Sequence, residues 1–217
     1  RKQMADWCRA NNILTKGHPL VWSAGDNLPT WVPQDVGGMR DAIKARITDI
    51  VSKFSGLIDI WDVVNEATCT DENDNAITKW IQIEGPAPMV GTCLSWARAA
   101  NPNALLLYND WNLWNQERSY EELARNLVQS GQPIGAFGIQ SHMHQGEWTM
   151  DWTWRACDTY GRFGRPIHFT EVTVISGQHG WMLPDWPTTP EGEAFQADYV
   201  EDFYTLLFSH PSVQAIT

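Results

Sequence analysis

The stretch IWDVVNEA, residues 60–67, has the length of a buried β-strand and ends in two polar residues, Asn65 and Glu66. A carboxylate at the end of an apolar run is costly to bury unless it is paired or takes part in chemistry. The stretch PIHFTEVTV, residues 166–174, repeats this arrangement with Glu171. The sequence therefore predicts two buried strands that each deliver a glutamate to a functional site.

Apolar runs of strand length recur along the chain, and helical patterns separate them. The predicted strands occupy residues 13–22, 56–66, 103–110, 135–142, 165–174 and 213–217. Helices are predicted for residues 39–54, 117–131 and 193–211 by the spacing of their apolar residues, and residues 1–12 read as part of another helix. This alternation predicts a parallel sheet, either an open doubly wound sheet or a closed (β/α)8 barrel.

Polar residues at the strand ends favour the barrel. An open sheet that binds a nucleotide usually has a glycine-rich first turn, and the sequence contains no GxGxxG or P-loop motif. A barrel instead places its functional residues at the carboxyl ends of several strands. Five successive runs end in such residues: His18 and Trp22, Asn65 and Glu66, Asn109 and Asp110, Gln140 and His142, and Glu171.

Composition limits the partners that this chain can have. Its 217 residues suit one large domain, and its formal net charge is −11. Because no basic cluster interrupts the negative charge, nucleic acid and anionic membrane surfaces are not expected as partners. No apolar run approaches the roughly 18 residues of a membrane span, so membrane insertion is not expected either. A neutral substrate fits this charge, because it needs no electrostatic steering.

Two carboxylates that meet at one site are the minimum apparatus for glycoside hydrolysis. One must be protonated to help the leaving oxygen depart, and the other must be ionised as a nucleophile or a base. Metal-assisted hydrolysis is the alternative, since His142 and His144 form an HxH pair to which His18 could add a third ligand. Nothing in the spacing demands that third ligand, so we favour a glycosidase that needs neither a metal nor another cofactor.

Five motifs carry a resemblance to a known family: GHPLVW (17–22), WDVVNEA (61–67), LLLYNDWN (105–112), FGIQSHMH (137–144) and IHFTEV (167–172). Their sequence and order resemble family 10 glycoside hydrolases, the retaining endo-β-1,4-xylanases. The resemblance implies a (β/α)8 TIM barrel in which residues 1–217 form a partial catalytic domain, approximately strands 3 to 8. Strands 1 and 2 and the end of strand 8 are expected to be absent from this chain and supplied by another segment.

The resemblance also implies roles for the residues at the strand ends. Glu66 would be the general acid and base, and Glu171 the nucleophile that forms a covalent glycosyl-enzyme. Retention would require the two carboxyl groups to face each other about 5–5.5 Å apart. Five further residues would bind the substrate: His18, Trp22, Asn65, Gln140 and His142. His142 would also contact Glu171. The substrate would be xylan or xylo-oligosaccharides, which implies a secreted protein, extracellular or periplasmic.

Two positions differ from the family pattern and keep an alternative open. Ser23 stands where the family usually has a histidine, and Thr173 stands where it usually has an aspartate that supports the histidine beside the nucleophile. The alternatives are a catalytically impaired relative that still binds xylan, and an endo-glycosidase that acts on another β-glycan. Asn109 and Asp110 are also open to a structural interpretation, in which they orient neighbouring groups.

Overall fold

A computed structural model of the protein describes residues 2–24, 28–69, 73–111, 113, 119–177 and 187–217. The chain divides into two compact units, Arg1–Phe137 and Gly138–Thr217. Helices separate the strands along the chain, as the apolar pattern predicts, except that the strand Lys16–Gly17 is followed directly by the strand Val21–Trp22. None of the helices among the described residues has the length together with the hydropathy that a membrane span requires.

The first unit contains most of the secondary structure. Its helices are α1 (Lys2–Ala10), α2 (Val36–Lys53), α3 (Ala76–Glu84), α4 (Pro86–Ala100) and α5 (Ser119–Gln129). Its strands are β1 (Lys16–Gly17), β2 (Val21–Trp22), β3 (Ile60–Asn65) and β4 (Leu105–Asp110). The strand β5 (Ala136–Met143) begins in this unit and continues into the second.

Strand β3 is the centre of the parallel sheet in the first unit. Both β1 and β2 pair with β3, and Trp22 lies opposite Asn65. Strand β4 pairs with β3 as well, and Asn109 also lies opposite Asn65. Because all these strands run in the same direction, the polar residues that follow them collect at one edge of this sheet.

The prediction of one continuous strand over residues 13–22 is wrong. This stretch forms the two short strands β1 and β2, separated by residues 18–20. Pro19 interrupts the ladder because proline has no N–H to donate. The Leu20 N–H still donates to the Asp62 carbonyl at 3.0 Å, so both short strands stay against β3.

Most of the apolar stripe predicted on α2 is buried. Its buried residues are Met39, Ile43, Ile47 and Val51, while Ile50 and Phe54, which the pattern also places on this stripe, are half-buried. The helix begins three residues earlier than predicted, because the Asp35 side chain accepts a hydrogen bond from the Gly38 N–H at 2.7 Å and caps it.

Helices α3 and α4 were not predicted from the sequence. Helix α4 buries residues at adjacent positions, including Met89, Val90, Cys93 and Leu94. A helix that is buried on several sides shows no single stripe at a spacing of 3.6 residues, and periodicity therefore does not reveal it.

The second unit contains most of β5 together with α6 (Met150–Gly161), β6 (Ile167–Val174), α7 (Pro190–Ser209) and β7 (Val213–Ile216). Strand β6 lies between β5 and β7 and is parallel to β7. Phe169 of β6 packs against Phe203 of α7, with ring centroids 5.8 Å apart. This aromatic contact fixes the strand that carries Glu171 to its neighbouring helix.

Asn75 links the start of α3 to the segment after β2, and its loss should destabilise the first unit. Its Oδ1 accepts from the N–H groups of Ile77 and Thr78 at 3.0 and 3.1 Å, and its Nδ2 donates to the Ser23 carbonyl at 2.6 Å. We expect Asn75→Ala to lower the free energy of unfolding by about 2 kcal/mol, since both a helix cap and a buried hydrogen bond are lost.

Urea denaturation measures this loss, and Asn75→Ser is the matched variant. Serine keeps an oxygen that can cap the helix but is too short to reach Ser23. Asn75→Ser should therefore lose only about half of the free energy of unfolding that Asn75→Ala loses. Equal losses in Asn75→Ala and Asn75→Ser would show that the cap contributes nothing.

Candidate active site

Glu66 follows the last residue of β3 and has an unusual backbone conformation. Its φ is +57°, in the left-handed region that costs a residue other than glycine about 1–3 kcal/mol. Its N–H donates to the Asn109 carbonyl at 2.9 Å, which continues the β3–β4 ladder by one residue. Its side chain is held as well, because the Trp22 indole Nε1 donates to Glu66 Oε2 at 2.9 Å. Strain at a carboxylate that is fixed in this way is typical of functional sites.

Asn65 is buried beside Glu66 and has a defined amide orientation. The Asn109 Nδ2 donates to Asn65 Oδ1 at 2.8 Å. Asn109 is itself fully buried at the end of β4. The two amides therefore fix each other, which supports the interpretation of Asn109 as a residue that orients its neighbours.

His18 is held by a residue that the sequence analysis missed. His18 Nδ1 lies 2.9 Å from Asp62 Oδ2, and the Lys16 Nζ donates to the same oxygen at 2.8 Å. Asp62 is fully buried in the middle of β3. A signal was present in the sequence, because an acid inside an apolar strand needs a partner of opposite charge.

Glu171 lies on β6 and contacts His142 of β5. His142 Nε2 lies 2.9 Å from Glu171 Oε2, and its Nδ1 lies 2.8 Å from the Thr173 hydroxyl oxygen. The expected contact between His142 and Glu171 is thus present. A hydroxyl, which can donate or accept, occupies the side of the imidazole where the family pattern has a carboxylate.

His144 stacks on His142, with ring centroids 5.2 Å apart. Burial, and then the neighbouring His142, lower the pKa of His144, which keeps its imidazole neutral at pH 7. Within the described ranges, no three side chains of His, Cys, Asp or Glu are grouped so that they could hold a metal ion.

The structure thus places the predicted residues in two groups, one in each unit. In the first unit, Trp22 contacts Glu66, and Asn109 holds Asn65 at the end of β3. His18 lies between β1 and β2, where Asp62 holds it. In the second, His142 contacts Glu171, and Gln140 is buried two residues before His142 on β5. Ser23, next to Trp22, is buried, and its hydroxyl has no partner among the described residues.

The family model for "Glycosyl hydrolase family 10" matches residues 1–217. The chain belongs to glycosyl hydrolase family 10. This family has the (β/α)8 barrel fold, so the predicted fold class is confirmed, and so is the predicted membership of a glycoside hydrolase family.

Two proteins named as endo-1,4-beta-xylanases align with nearly all of this chain. Endo-1,4-beta-xylanase B of Paenibacillus barcinonensis is 31% identical over 224 residues, which cover 97% of this chain and 66% of the relative. Endo-1,4-beta-xylanase B of Thermotoga neapolitana is 27% identical over 215 residues, which cover 95% of this chain and 58% of the relative. The chain therefore spans about three fifths to two thirds of the length of these two relatives.

Two solved xylanase structures are similar to this chain. The crystal structure of xylanase XynB from P. barcinonensis, complexed with a conduramine derivative, matches the whole chain with a TM-score of 0.85 at 26% identity, and 68% of that chain is covered. Xylanase 10B from Thermotoga petrophila, in complex with xylobiose, matches 99% of the chain with a TM-score of 0.79 at 26% identity, and 64% of that chain is covered.

Proposed function

We propose that the protein to which this chain belongs is a retaining endo-β-1,4-xylanase. The observation that carries the proposal is the family 10 match over residues 1–217. Within it, Glu66 directly after β3 accepts a hydrogen bond from the Trp22 indole, and Glu171 on β6 shares one with the His142 imidazole. The relatives named as endo-1,4-beta-xylanases support the choice of xylan over another β-glycan.

The mechanism that we propose has two displacement steps. Glu66 donates a proton to the glycosidic oxygen while Glu171 attacks the anomeric carbon, so the C–O bond to the leaving sugar breaks and a glycosyl–Glu171 ester forms. Glu66, now ionised, then takes a proton from water as the water oxygen attacks the same carbon and releases Glu171. The product has the starting anomeric configuration.

The remaining predicted residues bind the sugar in this proposal. Asn65 would donate to the 2-hydroxyl of the sugar beside the scissile bond, a contact that strengthens as the oxocarbenium-like state develops. His18, Trp22, Gln140 and His142 would complete the site.

The same proposal also concerns where the protein acts and how much of the barrel this chain contains. Xylan is a polymer, so we place the protein outside the cytoplasm, extracellular or periplasmic. We also propose that residues 1–217 are a partial catalytic domain and that another segment supplies the remaining barrel strands. The share of the relatives that is covered, 66% and 58%, supports this division.

Reducing-sugar release from xylan tests the activity, and proton NMR of the first products tests its stereochemistry. The full-length protein should release xylo-oligosaccharides, and the β-anomer should appear before mutarotation. Initial formation of the α-anomer would rule out the double displacement. Release of reducing sugar from glucan but not from xylan would show that the substrate is another β-glycan.

A xylan-binding protein of low activity is the second candidate, and Thr173 is the observation that favours it. The family aspartate would keep the histidine charged, whereas the Thr173 hydroxyl at 2.8 Å brings no charge. Both candidates bind xylan, but only the xylanase turns it over rapidly. Isothermal titration measures the affinity, and reducing-sugar release measures the turnover.

Thr173→Asp should extend activity to higher pH. A carboxylate beside Nδ1 favours the protonated imidazole, so the positive charge beside Glu171 Oε2 should persist to a higher pH in Thr173→Asp than with threonine. Glu171 and His144 also face this ring, and neither is changed by the substitution. The alkaline limb of the pH–rate profile should move upward, whereas Thr173→Ser, which keeps the hydroxyl, should leave it in place. An unchanged limb in Thr173→Asp would show that His142 does not depend on position 173.

A further inference from the structure

A turn after β3 carries Glu66, and the end of β4 holds this turn through the backbone. We call residues 66–69 the Glu66 turn. Its first N–H, that of Glu66, donates to the Asn109 carbonyl at 2.9 Å. The turn closes where the Cys69 N–H donates to the Glu66 carbonyl at 3.2 Å. Ala67, between these residues, is buried.

Asp110, the next residue of β4, holds the other end of the Glu66 turn through side chains. The Thr68 hydroxyl donates to Asp110 Oδ2 at 2.6 Å, and the Cys69 thiol donates to Oδ1 at 3.6 Å. The Tyr108 hydroxyl also donates to Oδ2. Because Asp110 is fully buried, its carboxylate depends on such donors, and hydrogen bonds to a carboxylate are stronger than those between neutral groups.

The thiol of Cys69 remains a donor over the whole working range of pH. Burial, followed by the negative charge of Asp110, raises the pKa of Cys69 well above its usual range. The thiol therefore stays protonated beside the carboxylate. In this cluster of side chains the Asp110 carboxylate is the acceptor, and its donors are Thr68, Cys69 and Tyr108.

We propose that Asp110 is a positioning residue for Glu66. It fixes the Glu66 turn through Thr68 and Cys69, and the turn in turn keeps the Glu66 carboxylate on the Trp22 indole. The left-handed backbone conformation of Glu66 persists only where the surrounding structure stabilises it. Asp110 contributes to this through its side-chain hydrogen bonds with Thr68 and Cys69. This inference rests on the proposed function, in which Glu66 is the general acid and base.

The first test measures the position of Glu66 without any activity. The Trp22 indole N–H donates to Glu66 Oε2, so its cross-peak in a ¹⁵N–¹H NMR spectrum reports that contact; Trp22→Phe assigns the peak. Asp110→Asn and Thr68→Val should both shift it. Thr68→Ser, which keeps the hydroxyl, should leave the peak near its original place.

Thr15→Val is the matched control for these variants. Its hydroxyl donates to the Leu57 carbonyl at 2.8 Å, a half-buried contact between distant segments of the same unit. Thr15→Val should lose about as much stability as Thr68→Val, but it should leave the Trp22 peak in place. A Trp22 peak that stays in place in both Asp110→Asn and Thr68→Val would overturn the inference.

The second test uses the leaving group to isolate the acid role of Glu66. A phenyl xylobioside needs protonation of its leaving oxygen, whereas a 2,4-dinitrophenyl xylobioside does not. In the full-length protein, Thr68→Val should lower kcat/KM for the phenyl substrate by about 10-fold and for the dinitrophenyl substrate by no more than about twofold. Equal losses on both substrates would count against positioning. Failure of the unmodified protein to hydrolyse either substrate would instead overturn the proposed function.

Discussion

Glu171→Ala should abolish turnover of xylan by the full-length protein while leaving its affinity for xylo-oligosaccharides largely intact. In the proposed mechanism Glu171 forms the bond to the anomeric carbon, and no other group can replace it. Removal of a nucleophile lowers kcat by on the order of 10⁶-fold in another covalent mechanism. Binding should survive because the sugar contacts come from other residues, and titration calorimetry with xylobiose separates the two effects.

Azide provides a sharper check of the same variant. A small anion can enter the space that the Glu171 side chain leaves and attack the anomeric carbon directly, which yields a glycosyl azide of inverted configuration. Glu122→Ala, at an exposed glutamate on α5, is the control and should keep full activity without azide. Near-normal hydrolysis by Glu171→Ala would remove Glu171 from the mechanism.

Glu66→Ala should have an effect that depends on the leaving group. Loss of a general acid lowers the rate by about 10²–10⁴-fold where the leaving oxygen needs a proton, so hydrolysis of xylan and of phenyl xylobioside should fall by that amount. Cleavage of a 2,4-dinitrophenyl xylobioside should still form the glycosyl-enzyme. Without a base to activate water, this intermediate should accumulate and give a burst of dinitrophenol.

Azide should also rescue Glu66→Ala, with the opposite stereochemistry. Azide needs no general base, so it releases the sugar from Glu171 and gives a glycosyl azide with retained configuration. Glu66→Gln keeps the shape of the side chain and its place beside Trp22, and it should behave in the same way. Equal rate losses for good and poor leaving groups would show that Glu66 does not act as the acid.

Much of the candidate site could be predicted from the sequence because strands have a simple pattern. Apolar runs locate β3 and β6 and, with them, Glu66 and Glu171. Glu66 follows the end of β3 as expected, whereas β6 continues past Glu171 to Val174. The contact between His142 and Glu171 was also expected, and the structure has it at 2.9 Å. These are local features, since a strand and the residue that follows it need no knowledge of distant partners.

Other parts of the site could not be predicted because they depend on strand register. Thr68 and Asp110 are 42 positions apart, and they meet only because β3 and β4 pair with Asn65 opposite Asn109. The register also shifts between Asp62 and Val64, an irregularity that no residue pattern indicates. A change of register by one residue would turn each side chain to the other face of the sheet.

Covalent trapping tests the proposed double displacement most directly. A 2,4-dinitrophenyl 2-deoxy-2-fluoro-xylobioside slows both steps, because the fluorine destabilises the oxocarbenium-like state, while its good leaving group still allows the first step. Mass spectrometry of a proteolytic digest of the full-length protein should then find one fluoroxylobiosyl group, attached to Glu171. A label on a different carboxylate, or steady release of dinitrophenol with no labelled peptide, would contradict the mechanism.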